Sequence, residues 1–222
     1  VYNNGNFFDP KAVPPEDHPA MLRRLNSYRR IIVENHPRLI GDSCLRFRDG
    51  MTGILEIAMG LETIHPGVLP RLNKRLDPKD FQRAAAFLTG HGVRVRAFIL
   101  LNPPYLMGRN ENIQWTVDTV KFAFECGAQS CSIIATRGGN GIMDALLAMG
   151  QYLPPDLSGL EEAFERSLDL AGERLVFADT WNIGFLSVCP LCFDSRKARI
   201  ERMNREQIVL PPITCSCNRS YE

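Results

Sequence analysis

Residues 93–136 read VRVRAFILLNPPYLMGRNENIQWTVDTVKFAFECGAQSCSIIAT, and the order of periodicities inside this stretch decides the fold. Val93 to Leu101 is a β-branched and aliphatic run, closed by Asn102-Pro103-Pro104, with the length and composition of a strand. From Asn112 the pattern changes. Ile113, Val117, Val120 and Phe124 recur at helical spacing on one stripe, and Gly127 supplies a C-terminal stop. Ser130 to Thr136 is a short apolar run again. Strand, helix and strand in this order make a βαβ unit, whose strands run parallel.

Working outward, the same alternation continues. Arg30 to Val33, Leu55 to Leu61 and Leu175 to Ala178 read as further strands, and Tyr2 to Phe8 as another, interrupted by Gly5. Asp77 followed by Pro78 is a cap with a first-turn proline, and Phe81, Ala84, Ala85 and Leu88 then mark a helix that stops near Gly90. Ser158 with Glu161 three residues on forms a capping box for the helix carrying Leu160, Phe164 and Leu168. The βαβα order predicts an α/β fold, a parallel sheet covered by helices in the manner of a barrel or partial (βα) barrel. No fixed-period repeat or low-complexity tract interrupts it.

Composition excludes several classes. With 26 basic and 25 acidic residues the net charge is +1, so no global field draws the chain to nucleic acid or an anionic membrane. The strongest apolar stretch, Ala97 to Leu101, is far short of the roughly 20 residues that span a bilayer, so no membrane partner is expected. Residues 1–10, VYNNGNFFDP, have neither the basic nor the apolar region of a signal peptide and no initiator Met. An odd count of seven cysteines in a chain of this length points to a reducing, cytoplasmic home.

In parallel α/β folds the functional groups sit where strands end and βα loops begin. Here those ends read NNGNFFDP, VENHP, GLETIHPG, LLNPP and IATRGGNG, each polar or rich in Gly and Pro. The amides of RGGNG could face an anion, although a plain turn needing positive φ explains the glycines equally well. His36 and His65, each before a proline, read as turn residues. Phe7 and Phe8 read as core, and Cys44, Cys126 and Cys131 as small apolar side chains.

Taken in order, VENHP, then EIAMGLETIHPGVLPRLNKRLDPKDFQRAAAFLTGHGVRVRAFILLNPP, then Asn112 to Thr136, resemble the later strands of radical S-adenosylmethionine enzymes. The subgroup is that of oxygen-independent coproporphyrinogen oxidase, the elongator catalytic subunit and tRNA methylthiotransferases. NNGNFFDPKAVP, GLET, Asn73-Lys74 and YLPP are most similar to the archaeosine-synthase radical partner. The resemblance covers roughly residues 1–155. It implies a partial (βα)6 barrel that binds S-adenosylmethionine at its strand C-termini, where an iron-sulfur cluster reduces the sulfonium to release a 5′-deoxyadenosyl radical. By position it assigns Glu34, Glu62, Lys74, Ser132 and Ile133 to the cofactor. Glu34 is a carboxylate near it, Glu62 reaches its methionine or ribose portion, Lys74 meets its carboxylate, and Ser132 and Ile133 flank adenine. Phe98 departs from the pattern, standing where some relatives carry a polar ribose-binding group.

A 4Fe-4S cluster of this kind needs three thiolates on one CxxxCxxC loop, and no such loop occurs in the 222 residues. The expectation is that this chain is the later part of a longer enzyme, inactive in redox catalysis by itself. Residues 1–155 would hold the later βα units, 156–188 a helix-strand extension and 189–222 a cysteine-rich tail.

The tail can be read without the resemblance. Cys189 and Cys192 form CPLC, Cys215 and Cys217 form CSC, and a helical insert, FDSRKARIERMNREQ, lies between them. Two close thiolate pairs suit a tetrahedral structural Zn²⁺, giving a small C-terminal knuckle of four cysteines; a redox-active CPLC, an iron-sulfur ligand set and unrelated cysteines are the competing readings. The basic run Arg196, Lys197, Arg199, Arg202 and Arg205 adds modest support for the tRNA substrate that the relatives suggest. Two other functions fit parts of the sequence: a silent scaffold whose knuckle binds RNA or a partner protein, and a phosphate-binding α/β enzyme using RGGNG.

Overall fold

The computed structural model describes residues 5–187 and 189–217. Five strands, β1 (Arg30–Glu34), β2 (Ile54–Glu62), β3 (Arg94–Leu101), β4 (Ser130–Ala135) and β5 (Leu175–Ala178), form one parallel sheet in the order β1-β2-β3-β4-β5. The helices are α1 (His18–Leu25), α2 (Asp42–Asp49), α3 (Pro78–Gly90), α4 (Arg109–Glu125), α5 (Gly141–Ala148), α6 (Leu157–Asp169) and α7 (Phe193–Glu206). In β1 and β2, Arg30 pairs with Ile54 and Glu34 with Ala58. The strands predicted around Leu55, Val93 and Ser130 are therefore neighbours.

The chain divides into two compact units, one running to Phe98 and including Phe122–Cys131, the other comprising Ile99–Lys121 and the residues from Ser132 onward. In the first unit, strand positions of one parity, including Val33, Ile57, Met59, Leu61, Val95 and Ala97, are fully or almost fully buried. The other parity carries the charges among apolar residues such as Ile32, Ala58 and Phe98: Arg30 and Glu34 on β1, Glu56 and Glu62 on β2, Arg94 and Arg96 on β3. Glu56 is the deepest of these charges at 2% exposure. It accepts from Arg96 Nε at 2.7 Å and from Ser130 Oγ at 3.1 Å, and Arg30 lies 3.5 Å from its other oxygen. One carboxylate thus joins side chains from four strands.

The two helix caps expected from the sequence have different outcomes. At α3, Asp77 accepts from Lys79 N–H, and the box closes through Asp80, which accepts from Asp77 N–H. At α6 the cap is Asp156, which accepts from Gly159 N–H at 2.7 Å. The predicted Ser158–Glu161 box does not form. Ser158 lies inside the helix and donates to Asp156, while Glu161 is engaged by arginines of α7. The strand predicted over Tyr2 to Phe8 also fails: residues 2–4 lie outside the described residues, and residues 5–8 form a loop. That loop is stitched to the end of β1, because Phe7 N–H donates to Glu34 O at 2.9 Å and Phe8 N–H to Asn35 Oδ1 at 3.0 Å. Its Phe7 and Phe8 side chains pack in the core against Phe47.

In the second unit, α6 and α7 pack on β5. Asp179 N–H donates to Ile133 O on the β4 side, so Val176 and Ala178 turn their peptide groups to the opposite edge. There two side-chain amides of α7 pair with them. Asn204 bonds both Ala178 N–H and Ala178 O at 2.9 Å, and Gln207 bonds Val176 N–H at 2.8 Å and Val176 O at 2.9 Å.

Removing the Glu56 carboxylate takes the acid away from Arg96, which has 13% side-chain exposure. Glu56→Ala is expected to destabilise the protein by about 3–5 kcal/mol in urea denaturation. A loss below about 1 kcal/mol would show that the network carries no structural weight.

Candidate functional site: a polar cleft at the strand ends and a cysteine cluster

The first unit carries a cleft of about 340 Å³ at the C-terminal ends of β1 and β2, within the range of small-molecule sites. Glu34, Glu62 and Lys74 all line it, with Asn6 and His36, over a floor that includes Ala58 and Phe98. Glu34 ends β1, and its partial burial raises its carboxyl pKa above the usual carboxylate value. Glu62 ends β2 with φ of 64°, a left-handed conformation that costs energy in a non-glycine residue. Two residues earlier stands Gly60, and a Cβ there would meet Glu62 Oε1 at 2.6 Å. The glycine of GLET therefore keeps room for its glutamate.

Lys74 Nζ lies 3.1 Å from Glu62 Oε1. Lys74 is flanked by two left-handed residues, Asn73 and Arg75, with φ of 54° and 49°. His36 holds this loop. Its Nδ1 accepts from Arg38 N–H at 3.1 Å, which leaves the proton on Nε2 to donate to Lys74 O at 3.1 Å. Asn6 Oδ1 accepts from His36 N–H at 2.7 Å, bringing the 5–8 loop to the same place. His36 thus does more than turn the chain: it ties the loop after β1 to the lysine. His65 is a turn residue as expected, with Nδ1 accepting from Gly67 N–H.

Ser132 and Ile133 lie on β4 in the second unit, are buried, and are not among the residues lining the cleft; Ile133 O belongs to the ladder with Asp179. The RGGNG loop is already supplied with acceptors. Gly139 N–H donates to Asp144 Oδ1 at 3.1 Å, and Asn140 caps α5 through Met143 N–H. An internal carboxylate sits where the phosphate reading would put its anion.

The second unit brings Cys189, Cys192, Cys215 and Cys217 together, with all four sulfurs within 4.8 Å of one another. Cys189 Sγ is 3.9 Å from Cys215 Sγ, and Cys192 Sγ is 3.6 Å from Cys217 Sγ. The backbone and side chain of Cys217 hydrogen-bond the Cys215 sulfur and draw its thiol pKa down to about 7. Two of the five basic residues in the run beside it are turned inward. Arg196 and Arg199 are 7% and 5% exposed and pair with Glu161 and Glu165 of α6, while Arg202 bonds Glu206 and Lys197 lies near Glu201. Arg202 and Arg205 stay exposed, so the run presents fewer open charges to an RNA partner than its sequence suggests.

No protein-family model matches the chain. It is 28% identical over 195 residues to archaeosine synthase subunit beta of Methanosarcina acetivorans, a match covering 83% of this chain and 55% of that protein. The chain therefore spans about half the length of this curated relative. Among solved structures, coproporphyrinogen III oxidase of Escherichia coli, titled a radical SAM enzyme, aligns with a TM-score of 0.52 at 12% identity over 74% of this chain and 38% of its own. These two matches support a relationship to the radical S-adenosylmethionine superfamily. Hydroxymethylglutaryl-CoA lyase of Pseudomonas aeruginosa aligns with the same TM-score at 15% identity, over 88% of this chain and 60% of its own, a likeness of fold alone.

Radical SAM chemistry calls for two groups, and the cleft suits them unequally. Two carboxylates, an amine and an amide on a partly apolar floor match a zwitterionic nucleoside cofactor. The cluster has no such fit, because no cysteine lines the cleft among the described residues.

Glu34 supplies a stability test. Its raised pKa means that the folded state favours the protonated form, so its contribution is fully present below the ordinary carboxylate pKa and is lost as pH rises through the raised value. Glu34→Gln is therefore expected to match the wild type in melting temperature at pH 4 and to equal or exceed it at pH 7.5. A variant less stable than wild type at pH 7.5 alone would show that the charged carboxylate has a stabilising partner.

Proposed function

We propose that this chain provides S-adenosylmethionine-binding strand ends for a radical enzyme acting on a tRNA base in the cytoplasm, together with a partner subunit. The observation that carries the reading is the meeting of Glu34, Glu62 and Lys74 in one cleft, from three positions up to 40 residues apart in the chain. The name of the curated relative, archaeosine synthase subunit beta, supports the partner, and the tRNA substrate rests on the resemblance of the strand-end motifs.

In this reading the residues work by charge and position. Lys74 receives the cofactor's carboxylate, exchanging part of its pairing with Glu62 for it, and Glu62 then turns to the amino group or a ribose hydroxyl. Glu34 accepts from hydroxyls or faces the sulfonium, whose positive charge favours the ionised form of a carboxyl that burial holds protonated to a higher pH. His36 is a positioning residue, fixing the backbone of Lys74. Phe98 offers an apolar wall. Bound S-adenosylmethionine supplies a carbon–sulfur bond that breaks on one-electron reduction. The electron source needs thiolate ligands that this cleft lacks among the described residues.

Binding measured by calorimetry is the test. Glu62→Gln and Lys74→Ala are each expected to weaken S-adenosylmethionine binding about tenfold, the value of one charge-assisted hydrogen bond. Ser158→Ala, remote in sequence and engaged with Asp156, should leave it unchanged. Wild-type affinity in both cleft variants would remove the cofactor from this cleft.

A further inference from the structure

We infer that Cys189, Cys192, Cys215 and Cys217 hold one structural Zn²⁺, and that this zinc locks α7 in the position from which Asn204 and Gln207 close the open edge of β5. A tetrahedron with Zn–S bonds of about 2.3 Å has sulfur–sulfur edges of about 3.8 Å. The observed separations of 3.9 and 3.6 Å straddle that value, and all four sulfurs lie within 4.8 Å of one another. Four sulfurs complete the shell, which leaves no open position for a catalytic water.

In sequence the two ligand pairs flank one mechanical element, and in space they meet at its start. Cys192 is the N-cap of α7, so the first pair marks where the helix begins. Beyond the helix the chain folds back along it, and Arg199 donates to Leu210 O and, at 2.8 Å, to Pro211 O, guiding the returning arm toward Cys215 and Cys217. Arg196 and Arg199 bond Glu161 of α6, which sets one face of α7. At its far end, Asn204 and the left-handed Gln207 meet Ala178 and Val176.

Each of those two amides presents an acceptor and a donor to one residue of β5, as a further strand would. An edge strand left with bare N–H and C=O groups is a template for pairing with another chain. Here α7 removes that edge, and its placement depends on the arm that the metal closes. Zinc binding is thereby coupled to protection of the sheet rather than to chemistry in the strand-end cleft.

Protein purified without added metal is expected to contain about one zinc per chain by elemental analysis. Iron in that amount, or no metal, would overturn the assignment. Stripping zinc with a chelator is expected to speed hydrogen exchange at the Val176 and Ala178 amides by about tenfold or more, with the β1–β2 ladder unchanged. Unchanged exchange at those two amides after zinc release would overturn the coupling. Should stripping unfold the protein, Asn204→Ala with Gln207→Ala tests the same device with every thiol in place. It should retain zinc and show the same local acceleration, whereas wild-type exchange there would mean the amides do not guard the edge.

Discussion

Glu56 is the constraint around which the first unit is organised. A carboxylate at 2% exposure is tolerated only with full compensation, and it receives Arg96, Arg30 and Ser130 from three neighbouring strands. This arrangement sets β1 to β4 in one lateral relation near their N-terminal halves. The same strand parity, followed toward the C-terminal ends, delivers Glu34 and Glu62 to the cleft. The polar face therefore has two floors: charges paired and closed below, and charges left accessible above.

The accessible floor gathers several backbone conformations that sequence alone does not favour. Glu62, Asn73 and Arg75 adopt left-handed conformations, Gly60 yields its side-chain space to Glu62, and Glu34 is held where burial opposes its charge. Left-handed conformations in non-glycine residues cost energy that surrounding packing and hydrogen bonds must offset. The lysine loop has no regular structure of its own to hold it, and His36 provides a bond across 38 positions of sequence.

The second unit ends its sheet in a different way. Strand β5 has only four residues, and its outer peptide groups pair with two side-chain amides rather than a backbone. The helix that supplies them is fastened by buried guanidinium–carboxylate bonds and begins at a cysteine of the four-sulfur cluster. Arg196 and Arg199, two of the charges that read as a surface for RNA, serve this fastening instead.

The five strands, the helices α3, α4 and α6 and the two cysteine pairs were legible in the sequence, because hydrophobic periodicity and short-range ligand spacing are local properties. Relatedness to radical SAM enzymes was legible too, in the order of strand-end motifs. The charges of VRVRAF and LEIAMGLE were not legible as a polar sheet face, because a pattern cannot say which charge is paired inside and which stays open. What the tertiary structure decided was non-local. It made Tyr2 to Phe8 a loop across the end of β1 where it is described, moved the α6 cap from Ser158 to Asp156, gave RGGNG an internal carboxylate and buried Arg196 and Arg199. In each case a side chain with several possible partners took the one that folding brought within reach. Sequence specifies which groups need partners, and only the packed chain determines which partners arrive.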